Sequence, residues 1–188
     1  MTRPGSSSAA SRLCSQCGMC CNGVMFRMVQ LQPEDSVREL AALGLKIKRK
    51  HGERCIMQPC PAHAESQCTI YASRPVRCRR FECLQVRRLA AGEITETMAM
   101  AAIRDAQQGV EQVRERLRQS GEFQERKSLT GCYEHALAEP LDPSAEEAVV
   151  ARRRGLIGAM RSLQALLNRD FRVEPLEMNA DGEVEAEG

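Results

Sequence analysis

Four cysteines within eight residues constrain this chain more than any other feature. The run reads Cys14-Ser15-Gln16-Cys17-Gly18-Met19-Cys20-Cys21, so two C-x-x-C spacings share Cys17 and an adjacent pair closes the run. The run has too few apolar residues to form a core, so packing does not explain its thiols. A two-residue gap lets the chain curl until both sulfurs face one point, with backbone N–H groups directed at the thiolates. Gly18 and Gly23 supply the φ freedom that such a curl requires.

The distribution of the ten cysteines favours a metal site over a disulfide framework. Nine of them lie between Cys14 and Cys83 in a chain of 188 residues. The segment Met1–Leu13 lacks the apolar run of a secretory signal, and the longest apolar run, Met98–Ile103, is too short to span a bilayer. A chain that stays in the reducing cytosol keeps its thiols reduced, and a dense thiol cluster there typically binds metal. The sequence therefore predicts a cytoplasmic metal-binding protein that does not enter a membrane.

Composition and periodicity predict a mainly α fold. The chain has no Trp, two Tyr and four Phe, so aliphatic side chains, Met and the cysteine site must hold it together. We expect an irregular, cysteine-rich, metal-binding N-terminal half followed by a C-terminal antiparallel helical hairpin. The predicted segments are a disordered N-terminus (1–12), a cysteine-cluster domain (13–92), the hairpin (93–172) and an acidic flexible tail (173–188).

Helix signals mark the elements around the cysteines. Residues 33–44 predict a helix that opens at Pro33-Glu34-Asp35 and stops at Gly44. A basic loop, Lys46–Arg54, follows. A further helix should run from Pro75 to near Gly92, which would place Cys78 at an N-terminus where the dipole stabilises a thiolate. Residues 24–31 are predicted to be extended.

The hairpin is predicted from two amphipathic stretches. The first runs from Thr95 to Gln119 and is closed by Gly121. The second starts at Asp142-Pro143-Ser144, where a cap precedes a proline, and reaches about Asn168. The intervening segment, which contains Cys132 and His135, is expected to be a loop. A protein partner could dock on the hairpin.

Charge is divided unevenly along the chain. Residues 1–92 carry 15 Lys and Arg against 6 Asp and Glu, whereas residues 93–188 carry 12 against 19. One interpretation is a nucleic-acid surface centred on Lys46–Arg54. The other is compensation, because nearby arginines offset an anionic thiolate site and favour deprotonated thiols. We favour compensation and no nucleic-acid partner, because the basic half lacks the aromatic residues that stack on bases.

Spacing alone leaves the metal open between Zn²⁺ and iron, whether mononuclear, polynuclear or in an iron–sulfur cluster. The bacterial ferredoxin spacing fails, because Cys21 follows Cys20 directly and position 24 is Val24. Adjacent side chains such as Cys20 and Cys21 point apart, so that each could serve its own metal, or one could bridge two. His63 is a further nitrogen donor to consider, although a lone His in a polar loop is more often at the surface.

A second block of cysteines completes a family pattern. Cys14-x-x-Cys17-x-x-Cys20-Cys21 is followed by Cys55, by Cys68-Thr69-Ile70-Tyr71, by Arg74-Pro75 and by Cys78-Arg79-x-Phe81. Over about residues 12–83 this pattern resembles the YkgJ-type cysteine-cluster family, the CxxCxxCC group of zinc- or iron-chelating domains. The resemblance implies metal ligation by seven cysteines: Cys14, Cys17, Cys20, Cys21, Cys55, Cys68 and Cys78. Three more lie outside the core motif: Cys60, Cys83 and Cys132. Of these, Cys60 and Cys83 are weaker candidate ligands, and Cys132 is a candidate for a small buried hydrophobe.

An enzymatic function is the alternative. The family includes a flagellin lysine N-methylase, and the arginines around Cys78 could tune an iron–sulfur cluster or grip an anionic substrate. The sequence shows no Gly-rich methyl-donor pocket, no Ser/His/Asp set and no paired carboxylates. We therefore identify no catalytic residue and favour a non-catalytic metal-binding protein over an iron–sulfur-dependent redox or protein-modifying enzyme.

Overall fold

The computed structural model of this chain describes residues 9–65, 67–176 and 178. Helices predominate in this part, as the sequence predicts. The seven α-helices are α1 (Ala9–Cys17), α2 (Val37–Ala42), α3 (Val76–Arg80), α4 (Leu84–Ala90), α5 (Glu96–Gln119), α6 (Leu129–Leu137) and α7 (Glu147–Asp170). The strands are short: β1 (Met28–Gln30), β2 (Ile47–Lys50), β3 (Glu53–Met57), β4 (His63–Ala64) and β5 (Gln67–Cys68). Among the helices of the described residues, none combines the length and the apolar character needed to cross a bilayer.

The first helix starts earlier than the sequence predicts. Residues 9–12, expected to be disordered, belong to α1, which buries Leu13 against the core at 2% exposure. Residues 1–8, the rest of the predicted disordered segment, lie outside the described residues. Helix α1 ends at Cys17, where Gly18 has φ +64° and donates its N–H to the carbonyl of Cys14 at 3.1 Å. Cys14 and Cys17 therefore lie on the last turn of a helix, at the i, i+3 spacing that puts them on one face.

The basic segment Lys46–Arg54 is a β-hairpin, not the predicted loop. Strands β2 and β3 pair antiparallel, with Lys48 opposite Cys55, and a turn at His51-Gly52 joins them. The sequence hid this strand because charged residues interrupt the apolar alternation that normally marks one. Strand β1 pairs with the other edge of β3 and confirms extended structure within residues 24–31. The sheet covers a small apolar cluster, which consists of Leu31, Leu40, Leu45, Ile56 and Ala62.

Helix α2 begins after the predicted start. Ser36 caps it, because its side chain accepts a hydrogen bond from the N–H of Glu39, and the segment 33–35 forms a turn before the helix. Asp35 in that turn accepts hydrogen bonds from the N–H groups of Gln32 and Val76. The turn thereby ties α2 to the start of α3.

The helix predicted from Pro75 to Gly92 is two helices. Phe81 and Cys83 have extended backbone angles, with ψ of 127° and 168°, and separate α3 from α4. Cys78 consequently lies in α3, while Cys83 lies at the N-cap of α4. This break sends the two thiols to different surroundings.

The two long helices pack against each other. Helix α5 lies within the predicted stretch and is followed, as predicted, by Gly121 at φ +76°, and Thr95 caps its start. Helix α7 starts at Glu147, later than the predicted start at Asp142. Asp105 of α5 lies near Arg169 of α7, and Gly155 of α7 faces Arg116 of α5. The two helices therefore run in opposite directions.

One core joins the cysteine run to the long helices. The segment predicted as a loop contains α6, capped by Ser128, and buries Cys132 and Tyr133 completely. The core combines apolar residues of α1 and the following turn with those of α5, α6 and α7: Leu13, Met19, Val24, Met25, Ile103, Val110, Val113, Leu117, Leu129, Tyr133, Leu156, Met160, Leu163, Leu167 and Phe171. The cysteine run is thus built onto the helical core.

The acidic tail predicted over residues 173–188 is described only at its start and at residue 178. Leu176 is held on α7 by two hydrogen bonds with the side chain of Asn168, at 2.7 and 3.0 Å. Residue 177 and residues 179–188 lie outside the described residues.

Candidate metal centre

The cysteine run forms a helix end followed by a tight turn, which we call the knuckle (residues 14–21). The N–H groups of Cys21 and Asn22 both donate to the carbonyl of Gly18, at 2.9 Å each. The N–H of Met25 donates to the carbonyl of Met19, which buries Met19 at 1% exposure in the core. The predicted curl is therefore present, and the buried Met19 side chain fixes it to the core.

Three thiols of the knuckle lie around one thiol of α4. We call this set of Cys14, Cys17, Cys20 and Cys83 the core-side group. Burial raises the pKa of Cys14, and negative charge on Cys83 raises it further. Burial also raises the pKa of Cys17 to about 12, where charge on Cys83 and Cys14 acts in the same direction. Cys17, Cys20 and Cys83 all pack against the large core.

Backbone amides favour the thiolate forms in this group. A hydrogen bond from the backbone of Met19 lowers the pKa of Cys17. Hydrogen bonds from the N–H groups of Gln85 and Val86, at the start of α4, lower the pKa of Cys83. Both effects oppose the rise in pKa that burial causes. Amides directed at sulfur are the surroundings that metal-bound thiolates commonly have, and they were predicted from the C-x-x-C spacing.

The last thiol of the knuckle belongs to a different set. We call Cys21, Cys60, Cys68 and Cys78 the hairpin-side group, because β4 and β5 form the hairpin beside it. Burial raises the pKa of Cys21 to about 12, and charge on Cys60, Cys78 and Cys68 adds to the rise. Burial raises the pKa of Cys78 to about 11, where Cys60 and Cys68 act in the same direction.

The hairpin-side group draws its members from distant parts of the chain. The N–H of Cys60 donates to the carbonyl of Cys21 at 2.8 Å, and Cys68 lies opposite His63 in the β4–β5 pairing. Cys78 arrives on α3, one turn after Pro75. The sequence predicted that the knuckle and the block around Cys78 converge, and it left open whether their thiols serve one metal or more than one.

His63 is not the surface side chain that the sequence favoured. Its Nε2 atom is buried and has no hydrogen-bond partner among the described residues, and burial lowers its pKa. A Cβ added at Gly18 would come within 2.9 Å of this Nε2 atom, so the ring packs directly on the knuckle. A buried imidazole nitrogen without a partner beside thiols is a fitting donor for a metal ion.

The positive charge of Arg74 lowers the pKa of one thiol in each group. Its charge opposes the burial that raises the pKa of Cys14 and of Cys78. The guanidinium lies 3.7 Å from the ring centre of Tyr71, and its Nε donates to the carbonyl of Tyr71 at 3.0 Å. The predicted charge compensation is therefore visible at Arg74. The thiolate that the sequence predicted at Cys78 is nevertheless not favoured, because burial raises the pKa of that thiol.

Two cysteines stand outside both groups. Cys55, a predicted ligand, is 1% exposed in the middle of β3 between Gln30 and Lys48, and it is not among the thiols that act on either group. Cys132 is buried in α6 and donates to the carbonyl of Gln124 at 3.4 Å. Conversely, Cys60 and Cys83, which lie outside the core motif, each complete a group of four. Their role depends on the fold after residue 58 and on the break before α4, which the spacing did not reveal.

The donor set fits a soft metal ion. All ten cysteines lie in the described part of the chain, and each is a free thiol. Within residues 9–65, 67–176 and 178, no three Cys, His, Asp or Glu side chains are already arranged to hold a metal ion. Binding must therefore draw the sulfurs of a group closer together. Thiolate sulfur and imidazole nitrogen are donors that suit zinc and iron.

Comparisons with known proteins agree with the cysteine pattern. Residues 13–103 match the family model CxxCxxCC, described as a "Putative zinc- or iron-chelating domain". No curated protein and no solved structure matches this chain. The matched residues run from Leu13 to Ile103 and so contain the knuckle, both thiol groups and the beginning of α5. Over residues 13–103, just under half of its 188 residues, the chain is therefore similar to the CxxCxxCC family.

Proposed function

We propose that this protein binds zinc or iron through thiols that its fold collects from both ends of the cysteine-rich region. The observation that carries the proposal is the 2.8 Å hydrogen bond from the N–H of Cys60 to the carbonyl of Cys21, with Cys68 and Cys78 near enough to raise the pKa of the Cys21 thiol. Packing alone does not explain this arrangement, because hydrocarbon side chains would fill the same volume without placing several soft donors together. Metal ligation gives these half-buried sulfurs a common partner.

The metal would hold the cysteine-rich region together. Helices α3 and α4 have 5 and 7 residues, and β4 and β5 have 2 residues each. Elements of this length are not stable alone, because helix nucleation is costly and a two-stranded hairpin is marginal in water. Structural zinc sites supply on the order of 10 kcal/mol of folding free energy. Ligation would thus add to the limited apolar packing of these short elements.

The compartment and the partner follow as proposals from the same features. Ten free thiols persist in a reducing environment, so we propose a cytoplasmic location. A protein partner is proposed for the helical hairpin of α5 and α7. Met98, 56% exposed at the start of α5, is the large apolar side chain that such a partner would cover.

Metal analysis of anaerobically purified protein tests the function. We expect stoichiometric zinc or iron, a loss of bound metal in Cys78→Ser, and wild-type metal content in Cys132→Ala, whose thiol lies outside both groups. A colourless zinc protein supports the non-catalytic role, whereas a brown protein with labile sulfide would favour the iron–sulfur alternative. A wild-type protein that holds no metal after loading with Zn²⁺ or Fe²⁺ would refute the proposal.

A further inference from the structure

We infer that the eight thiols form two separate metal centres of four sulfurs each, divided at the peptide bond between Cys20 and Cys21. The core-side centre consists of Cys14, Cys17, Cys20 and Cys83. The hairpin-side centre consists of Cys21, Cys60, Cys68 and Cys78. This inference rests on the proposed metal-binding function and specifies its stoichiometry and ligands.

The two groups contact different parts of the fold. Cys20 packs against the large core together with Cys17 and Cys83. Cys60 packs instead against the small apolar cluster under the sheet. Because the two apolar clusters have different members, Cys17, Cys20 and Cys83 are held against a different part of the core from Cys60.

Adjacent side chains, such as those of Cys20 and Cys21, tend to point apart. Cys20 and Cys21 follow one another in the turn that Gly18 closes. The carbonyl of Cys21 accepts the N–H of Cys60 at 2.8 Å, which ties the backbone of Cys21 to the segment that leads into the β4–β5 hairpin. One metal ion could take both sulfurs only by distorting this turn. Two ions could take one sulfur each, and each ion would draw together the sulfurs of its own group.

Thiols of the same group also raise one another's pKa values. Negative charge on Cys83 raises the pKa of Cys14, Cys17 and Cys20, whereas charge on Cys60 and Cys68 raises the pKa of Cys21 and Cys78. The effects between members of different groups all involve Cys21. Its charge raises the pKa of its neighbour Cys20, and charge on Cys14 raises the pKa of Cys21. This is the pattern expected for two adjacent sets that meet at the knuckle.

The donor count fits this division. Four thiolates satisfy the tetrahedral preference of Zn²⁺ and leave no open position, which is typical of structural zinc sites. Each such centre carries about two negative charges, since four thiolates surround one divalent ion. Arg74, which acts on Cys14 of one group and Cys78 of the other, lies where it offsets both charges.

Zinc stoichiometry in paired variants tests the division. Apo protein is loaded anaerobically with Zn²⁺, freed of excess metal and analysed for zinc per chain. Wild type should hold about two zinc ions. Cys17→Ser/Cys83→Ser and Cys60→Ser/Cys78→Ser should each keep about one ion, because each pair damages one centre only. The crossed pair Cys17→Ser/Cys60→Ser damages both centres and should lose both ions.

The other outcomes separate this inference from the function. If the thiols form one shared polynuclear site, all three double variants should lose the same amount of metal. That result, or a single zinc ion in the wild type, would overturn the inference of two centres. In both cases the proposed metal-binding function would still stand. A wild type without any zinc would refute the function itself. If a double variant does not fold, X-ray absorption of the zinc-loaded wild type decides. Four sulfurs at about 2.3 Å with no nearby metal support two centres, and a short metal–metal distance overturns them.

Discussion

The backbone N–H of Cys60 donates a 2.8 Å hydrogen bond to the carbonyl of Cys21. This bond joins the end of the knuckle to the segment that leads into the β4–β5 hairpin, across 38 intervening residues. It brings the backbones of the two cysteine blocks together without using either sulfur. The backbone therefore prepares the site, and the side chains remain free for a ligand.

Gly18 should tolerate no side chain. Its φ of +64° disfavours any residue with a Cβ, and that Cβ would approach His63 Nε2 to 2.9 Å. We expect Gly18→Ala to lower the free energy of unfolding of the apo protein by more than the ~1–2 kcal/mol that the left-handed conformation costs alone. Urea denaturation under anaerobic conditions measures this. Gly44→Ala is the matched control, because Gly44 has φ +87° and open space around its Cα. Equal losses in the two variants would contradict the contact between Gly18 and His63.

The stability of the apo protein should fall in alkaline solution. Burial raises the pKa of Cys17 and of Cys21 to about 12 in the folded state, against 9.0 for an ordinary thiol. The folded state then holds these protons more tightly than the unfolded state does, so this stabilisation is complete below about pH 9 and is lost as the pH rises toward 12. Urea denaturation between about pH 8 and 10 should show the decline. Cys17→Ser/Cys21→Ser should show a smaller decline, and an equal slope in this variant would contradict the assignment.

Zinc binding should release protons at neutral pH. Burial raises the pKa values of Cys17, Cys20 and Cys21, so these thiols are protonated before the metal arrives. Zinc binds thiolates, and a four-sulfur centre should therefore release about four protons per ion at pH 7. Calorimetric titration in buffers of different ionisation enthalpy measures the number. A release near zero would mean that the thiols are already ionised or do not bind the metal.

Arg74 should strengthen metal binding in both groups. Its charge opposes the burial that raises the pKa of Cys14 and of Cys78, and Tyr71 holds it in place. We expect Arg74→Gln to weaken zinc affinity by about 10-fold, the lower end of what groups around metal ligands contribute. Competition with a chromophoric chelator reports the affinity. Arg79→Gln, at an exposed position on α3, should leave the affinity unchanged; a similar loss there would indicate a general charge effect.

The knuckle and the long helices should unfold together. Met19 is 1% exposed and belongs to the core that α5 and α7 form. We expect Met19→Ala to cost about 2–5 kcal/mol and to lower the melting temperature of the whole helical signal. Circular dichroism at 222 nm, together with hydrogen exchange in α5, checks this. A variant in which only the cysteine-rich region loses protection would show that the two parts unfold separately.

The sequence predicted the long helices, but not which thiols the fold brings near one another. Helix α5 was predictable because a cap at Thr95, a 3.6-residue apolar period and a terminal glycine agree. The β2–β3 hairpin and α6 were missed, since Lys48, Arg49 and Lys50 mask the strand and the short α6 is held by its burial in the core. Tertiary packing decides such elements more than local propensity does.

The ligand groups show the same limit. The family pattern identified Cys14, Cys21 and Cys78, because their spacing is local or lies within a recognisable block. Cys83 was only a weaker candidate, since its position depends on the break between α3 and α4, which the apolar pattern does not mark. Cys55 fits the family pattern, but the structure buries it in strand β3. It is not among the thiols whose charge raises the pKa of Cys21 or of Cys78. Ligation by Cys55, as by the other cysteines, stays a prediction.

X-ray absorption at the metal edge of anaerobically purified protein tests the central claim most directly, because it counts the sulfurs around the bound ion. The account predicts a first shell made of about four sulfurs, as convergence of thiols from both cysteine blocks requires. A first shell of oxygen and nitrogen, or a protein that carries no metal while its thiols stay reduced, would contradict it.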